Sequence, residues 1–135
     1  FIGGEGNGVI IYPELHYGKD SLVGVALFLT QLANKKISVS ALRASYPEYY
    51  MSKNKIELTP QIDVDAILTA MTEKYKNEDI STIDGVKIDF ATEWVHLRKS
   101  NTEPIIRIYT EAPSQKEADV LALRIIDEIK EIAGI

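Results

Sequence analysis

Cationic, hydroxyl and amide side chains are concentrated in residues 98–104, which read Arg-Lys-Ser-Asn-Thr-Glu-Pro. The guanidinium of Arg98 offers a planar fork of N–H groups that matches phosphate oxygens. Ser100, Asn101 and Thr102 add neutral side-chain donors, and consecutive amides in a tight turn can form an anion-binding concavity. The segment therefore predicts a phosphate-binding turn, and the alternative interpretation is a polar hairpin turn on a solvated edge.

A second polar segment lies near the start of the sequence, where the four glycines of residues 3–8 surround Glu5 and Asn7. Glycine permits positive φ angles and close approach of the backbone, so this loop can fold over a ligand with Glu5 and Asn7 directed inward. It is not a dinucleotide-binding fingerprint, because residues 9–12 that follow it have the pattern of a strand and not of a helix. A flexible chain end is the alternative interpretation.

The composition of the 135 residues, 45% hydrophobic and 26% charged, is typical of a globular protein with room for one domain or for one small domain and part of another. The net charge of -5 and the lack of a basic stripe argue against a nucleic-acid partner. No apolar run is long enough to span a bilayer, and no signal-peptide pattern is present, which argues against a membrane partner.

The sequence contains no cysteine, which excludes disulfides, zinc-thiolate sites and thiol catalysis and agrees with a cytoplasmic protein. His16 and His96 are its two histidines, and this scarcity argues against a metal site in the chain. The sequence begins abruptly at Phe1, and we interpret it as a piece of a longer protein.

Helical patterns dominate the first third of the chain. Residues 20–33 predict a helix that Asp20 caps, and its apolar residues lie nearly all round, so we expect it to be covered on several sides. A short second helix follows, with Ser38 or Ser40 as its cap and Pro47 ending it. The change of pattern at residues 46–48 predicts a domain boundary, with one domain over residues 1–46 and another over residues 47–135.

The second domain is predicted to be α+β, an antiparallel sheet with helices covering one face. Residues 50–58 have the alternation of an edge strand, and residues 63–76 have the period of an amphipathic helix. Ser114 begins a capping box for the last helix, and Gly134 closes it. The period of this helix predicts one apolar face toward the sheet, formed by Ala118, Leu121, Ala122, Ile125, Ile129 and Ile132. The further strands are predicted at residues 81–83, 86–90, 94–97 and 105–109.

Four motifs resemble those of the α-D-phosphohexomutases, the family of phosphoglucomutases, phosphomannomutases and phosphoglucosamine mutases. They are Gly-Glu-Gly-Asn-Gly at 4–8, Gly-Lys-Asp at 18–20, Asp-Gly-Val-Lys at 84–87 and the segment at 98–104. The resemblance covers the whole chain. It implies that residues 1–46 are the carboxy-terminal part of the family's α/β third domain, and that residues 47–135 are its fourth domain, which has a TATA-binding-protein-like fold.

The resemblance also implies an activity for the full-length parent, the interconversion of hexose or hexosamine 1-phosphate and 6-phosphate through a bisphosphosugar. In the family, a phosphoserine in the first domain transfers the phosphoryl group, and a Mg²⁺ ion bound by an Asp-rich loop of the second domain assists. The positions of Glu5 and Asn7 in the motifs imply that these residues bind the sugar hydroxyls. The resemblance likewise implies that Arg98, Ser100, Asn101 and Thr102 bind the phosphate that is not reacting.

The motifs depart from the family's commonest pattern at three positions. Asn7 and Val9 replace the Ser and His of the usual sugar loop, and Lys19 replaces an Arg, which leaves the sugar preference open. The chain has no resemblance to the nucleophile or metal loops, so no catalytic residue is assigned to it and the chain alone is expected to be inactive. The alternatives are a free-standing phosphosugar-binding regulatory module, and an interaction domain in which segment 98–104 is only a structural turn.

Overall fold

The computed structural model describes residues 2–4, 8–59, 62–100 and 102–135. The chain divides into two compact units, Phe1–Pro47 and Glu48–Ile135. The assignment of residues 1–46 and 47–135 to two domains of one family stays a prediction. Among the described residues, no helix combines the length and the apolar character that crossing a membrane requires.

The first unit contains a small strand pair and two helices. The pair is antiparallel, with Gly3 opposite Ile11 and Gly4 opposite Ile10. The elements in chain order are β1 (Gly3–Gly4), β2 (Ile10–Ile11), α1 (Ser21–Lys35) and α2 (Val39–Ala44).

Side-chain caps begin both helices of this unit, as the sequence predicts. The carboxylate of Asp20 accepts hydrogen bonds from the amides of Leu22 and Val23 at the start of α1. Ser38 caps α2, which decides between the two candidate serines. The apolar residues of α1 have little cover, since the helix contains no buried residue and Leu22 is 81% exposed.

The second unit is a five-stranded antiparallel sheet with two helices, so the predicted α+β architecture is confirmed. The strand order is β3-β7-β6-β5-β4, which places β3 at an edge as its alternating pattern indicates. The elements are β3 (Tyr50–Glu57), α3 (Val64–Lys74), β4 (Asp79–Ser81), β5 (Val86–Asp89), β6 (Trp94–Lys99), β7 (Ile105–Ala112) and α4 (Gln115–Ala133).

Strands β4, β6 and β7 differ from the predicted boundaries by two or three residues, and β7 ends at Ala112 instead of residue 109. The strand predicted at 81–83 ends at Ser81, because Ser81 pairs with Lys87 as the last rung before the turn, and Ile83 is 97% exposed. Strand β6 continues through Arg98 and Lys99, because these residues pair with Arg107 and Ile106 of β7. Arg98 is therefore held by a strand ladder and not by the turn that follows it.

The core lies between the sheet and helices α3 and α4. Leu97 and Ile108 are fully buried neighbours in the sheet, and α4 covers the sheet with its predicted apolar face. Ile132, which was predicted on that face, is 39% exposed at the end of the helix. The buried residues of α4 are Ala118, Leu121, Ala122, Ile125 and Ile129.

Tyr75, the residue that ends α3, links this helix to α4. Its hydroxyl donates to the Glu128 carboxylate at 2.9–3.0 Å, and its ring meets Phe90 edge-on with centroids 5.5 Å apart. Burial, followed by the hydrogen bond to Glu128, raises the pKa of Tyr75 from 10.0 to about 12. The native state therefore holds the phenol proton more tightly than the unfolded chain does.

We expect this pKa shift to make the second unit lose stability at high pH. Because the folded pKa is the raised one, the contribution is complete below pH 10.0 and is lost as the pH rises toward about 12. Urea unfolding midpoints of the chain and of Tyr75→Phe are measured from pH 8 to pH 12. We expect the urea midpoint of Tyr75→Phe to be lower at pH 8, because this variant lacks the hydrogen bond to Glu128. Its midpoint should also fall less steeply than that of the unmodified chain above pH 10. Parallel pH profiles would contradict the linkage.

Candidate functional site

Arg98 projects from the face of the sheet opposite the helices. Side chains alternate between the two faces of a strand, and Leu97 is fully buried while Arg98 is exposed. Its neighbour in the next strand is Arg107, which lies directly across the ladder between β6 and β7. The next residue along the same rung is Lys55 of β3, which pairs with Arg107. Lys55, Arg107 and Arg98, here called the cation row, therefore lie side by side on the outward face.

Like charges directly opposite one another destabilise a sheet, so the cation row requires compensation. Two of its members have a carboxylate partner. The ammonium of Lys55 lies 2.9 Å from Glu57, and this contact raises the pKa of Lys55 and lowers that of Glu57. The Nε atom of Arg98 lies 3.2 Å from Oδ1 of Asp84.

Arg107 differs from the other two members of the row. Within the described part of the chain, its guanidinium forms no ion pair, although it is flanked by two cations. A shallow groove of about 320 Å³ opens beside it between β3 and β7. A site with excess positive charge and an unpaired guanidinium is suited to an anion such as phosphate.

Sequence reasoning did not include Arg107 among the site residues. The available signal was strand alternation, since Arg107 stands between the buried residues Ile106 and Ile108 and must face outward. Its place beside Arg98 depends on the register between β6 and β7, which joins residues across the hairpin.

The connection from β6 to β7 is held at both ends by backbone hydrogen bonds. The amide of Ser100 donates to the carbonyl of Ile105 at 3.1 Å, which closes the hairpin. The carbonyl of Pro104 accepts from the amide of Leu58 at 2.8 Å, which joins the turn to the end of β3. Ser100 and Thr102 therefore lie in an anchored turn that begins two residues after Arg98. Asn101 lies outside the described residues.

Lys99 lies on the other side of the strand from Arg98. It pairs in the ladder with the buried Ile106, and its ammonium lies 2.6 Å from a carboxylate oxygen of Asp65 in the first turn of α3. The two cations of the Arg98-Lys99 pair therefore face different surroundings. Lys99 serves as an internal comparison for Arg98, with the same charge at an adjacent position.

The glycine-rich loop of the first unit is described only at its edges. Glu5 and Asn7, the predicted sugar-reading residues, lie outside the described residues. Before these residues, Gly3 and Gly4 of β1 pair with β2. After them, Gly8 has a φ of +88°. Gly24 of α1 allows Ile10 to approach closely, because a Cβ at Gly24 would lie 2.8 Å from a side-chain carbon of Ile10.

The Gly-Lys-Asp motif at 18–20 forms the start of α1. The amide of Gly18 donates to Nδ1 of His16 at 2.9 Å, so the other ring nitrogen carries the proton and donates to Asp20 at 3.0 Å. The amide of Val23, followed by His16, holds the pKa of Asp20 below its usual value. His16 thus orders this turn through hydrogen bonds.

A metal site does not emerge from the residues that the structure describes. No three His, Asp or Glu side chains in these ranges come together in an arrangement that could hold an ion. Two of the acidic residues near the outward face are instead engaged with cations, Glu57 with Lys55 and Asp84 with Arg98. The Mg²⁺ ion that the resemblance implies has no fitting ligand set among these residues.

Comparisons with known proteins agree with the sheet and its motifs. Residues 53–128 match the family model of the phosphoglucomutase/phosphomannomutase C-terminal domain. The chain is 39% identical over 132 residues to the phosphoglucosamine/phosphogalactosamine mutase of Sulfurisphaera tokodaii, an alignment covering 96% of this chain and 28% of that protein. It is 39% identical over 119 residues to the phosphoglucomutase/phosphomannomutase of Thermococcus kodakarensis, covering 87% of this chain and 26% of that protein.

Solved structures show the same fold. A phosphoglucomutase/phosphomannomutase family protein from Burkholderia thailandensis superposes with a TM-score of 0.63 at 24% identity, over 97% of this chain and 27% of that one. A complex of Aspergillus fumigatus N-acetylphosphoglucosamine mutase with glucose 1,6-bisphosphate superposes with a TM-score of 0.53 at 18% identity, over 87% of this chain and 22% of that one. The chain thus spans between a fifth and a third of the length of each of these proteins. Because the family model covers more than half of its residues, the chain belongs to the phosphoglucomutase/phosphomannomutase family.

Proposed function

We propose that this chain supplies the phosphate clamp of a phosphohexomutase, formed by Arg98, Arg107, Ser100 and Thr102, with Asn101 added from the motif. The observation that carries the proposal is the cross-strand pair of Arg98 and Arg107 on the outward face of the sheet. Two guanidiniums side by side repel each other, and a bound phosphate converts that repulsion into two charge-assisted contacts. The anchored turn adds the neutral donors of Ser100 and Thr102.

The proposed activity of the full-length parent is the interconversion of hexose or hexosamine 1-phosphate and 6-phosphate through a bisphosphosugar. The relatives are named as mutases of phosphorylated glucosamine, galactosamine, glucose and mannose, and these names support this reaction class. Both monophosphates and the bisphosphate present a phosphate to the clamp. The clamp therefore needs to recognise phosphate independently of the rest of the substrate, which guanidinium forks can do.

In this proposal the clamp contributes positioning. Holding the phosphate that does not react fixes the distance and orientation of the reacting end, a major source of rate in phosphoryl transfer. Glu5 and Asn7 are proposed to read the sugar hydroxyls. The phosphoserine and the Mg²⁺ ion are proposed to belong to other parts of the parent, so the chain alone is expected to turn over no substrate.

Titration of the 135-residue chain with inorganic phosphate, followed by ¹⁵N NMR, tests the clamp. We expect amide shifts centred on the turn after β6, and we expect Arg107→Ala to weaken binding about tenfold or more, because a hydrogen bond to a charged group contributes about 1.5–3 kcal/mol. Lys99→Ala is the matched control, since it removes the same charge from the opposite face of the sheet. Equal weakening by the two substitutions would indicate non-specific attraction to positive charge.

A further inference from the structure

The turn between β4 and β5 reaches across to the strand that carries Arg98. Gly85 has a φ of +74°, and a Cβ at this position would lie 2.2 Å from the carbonyl oxygen of Leu97 and 3.2 Å from the Cα of Arg98. The carbonyl oxygen of Asp84 accepts a hydrogen bond from the Nε2 atom of His96. The close contact of Gly85 and the bond from His96 both hold this turn against β6.

The anchored turn places the carboxylate of Asp84 beside one edge of the Arg98 guanidinium. Oδ1 of Asp84 lies 3.2 Å from Nε of Arg98. A guanidinium carries one N–H on Nε and four on its two terminal nitrogens, arranged in a planar fork. With Asp84 beside Nε, the two terminal nitrogens are left for a bidentate contact with an anion.

We propose that Asp84 is a positioning residue for phosphate binding. Its carboxylate holds the Nε edge of Arg98 and thereby directs the terminal fork of the guanidinium toward the bound phosphate. The inference rests on the proposed function of the clamp, and it adds a residue that itself makes no contact with phosphate. A side chain whose rotamer is held before binding loses less conformational freedom when the ligand arrives.

The negative charge of Asp84 also has a second effect on phosphate affinity, which opposes the effect of ordering Arg98. A carboxylate near an anion site repels the anion, so its removal would strengthen phosphate binding if charge alone mattered. The side chains of Arg98 and Asp84 are 53% and 59% exposed, so water and salt screen this longer-range repulsion. The proposal requires the ordering of the guanidinium to outweigh this screened repulsion. Removing the Asp84 carboxylate distinguishes the two effects, because phosphate affinity falls if ordering dominates and rises if repulsion dominates.

The experiment compares phosphate affinities of the 135-residue chain by NMR titration at fixed ionic strength. We expect Asp84→Asn to weaken binding about three- to tenfold, or about 0.7–1.4 kcal/mol, because phosphate must then immobilise a free Arg98 side chain, and ordering one long side chain costs about this much. Asp84→Glu keeps a carboxylate within reach of Nε and recovers most of the affinity. The Arg98 Nε–H resonance gives an independent readout, and it moves toward the position of a solvated arginine in Asp84→Asn but not in Asp84→Glu.

Asp89→Asn is the matched charge control, because Asp89 lies on the same face of the sheet and pairs with Lys87 instead of Arg98. It should leave phosphate binding unchanged or slightly stronger. Unchanged or tighter binding by Asp84→Asn would overturn the positioning role while leaving the clamp intact. If the unmodified chain fails to bind phosphate, or Arg98→Ala binds as well as it does, the proposed function fails and the inference with it.

Discussion

Replacing Arg98 by alanine in the full-length mutase proposed above should lower kcat/KM about ten- to a hundredfold on every sugar phosphate, by analogy with the loss of a hydrogen bond to a charged group. We expect a uniform loss because, in the proposed function, Arg98 contacts the phosphate that all substrates share. Arg98 lies in the ladder of β6 beside Arg107, and the proposed contact does not involve the sugar ring. The measurement is kcat/KM for at least two sugar phosphates that differ in one hydroxyl or amino group.

Glu5→Ala is the comparison variant, because it distinguishes the loss of a phosphate contact from the loss of a sugar contact. In the proposed function, Glu5 contacts ring hydroxyls whose arrangement differs between sugars, so its penalty should depend on the sugar offered. If Arg98→Ala discriminates among sugars while Glu5→Ala is uniform, the two loops have been assigned the wrong way round. If neither substitution lowers kcat/KM, segment 98–104 is a structural turn and the clamp proposal fails.

Gly85→Ala should destabilise the second unit by about 3 kcal/mol or more, as the sum of left-handed backbone strain and a steric clash. Gly85 has a φ of +74°, a conformation that costs residues with a Cβ about 1–2 kcal/mol. The added Cβ would also lie 2.2 Å from the backbone oxygen of Leu97, in a ladder that cannot shift without breaking the pairing of β5 with β6. Urea unfolding of the whole chain measures the loss.

Gly134→Ala is the matched control for this prediction. Gly134 has a nearly equal φ of +71°, and a Cβ there would meet nothing within 4 Å. It should therefore show the backbone cost alone, about 1–2 kcal/mol, at the end of α4. Equal losses for the two variants would mean that the contact between Gly85 and Leu97 is relieved by a small shift. In that case phosphate binding by Gly85→Ala should also be unchanged.

Local chemistry was sufficient to predict most of the elements. The capping residues Asp20 and Ser114 act through hydrogen bonds to amides within three residues, so short sequence patterns identify them. The face of α4 follows from a period of 3.6, and the edge strand from a period of two. The phosphate-binding prediction for Arg98 also came from local residue types, because guanidinium, hydroxyl and amide groups were adjacent in the sequence.

The arrangement of the site depended on interactions that the sequence pattern does not encode. Strand register joins Arg98 to Arg107 across the hairpin and Arg107 to Lys55 of an edge strand about fifty residues earlier in the chain. The position of Asp84 beside Nε of Arg98 depends in turn on the contact of Gly85 with Leu97. Residue types and their spacing therefore determined which groups could bind phosphate. Tertiary structure decided which of them face the same side, because hydrogen-bond register acts between strands and not along them.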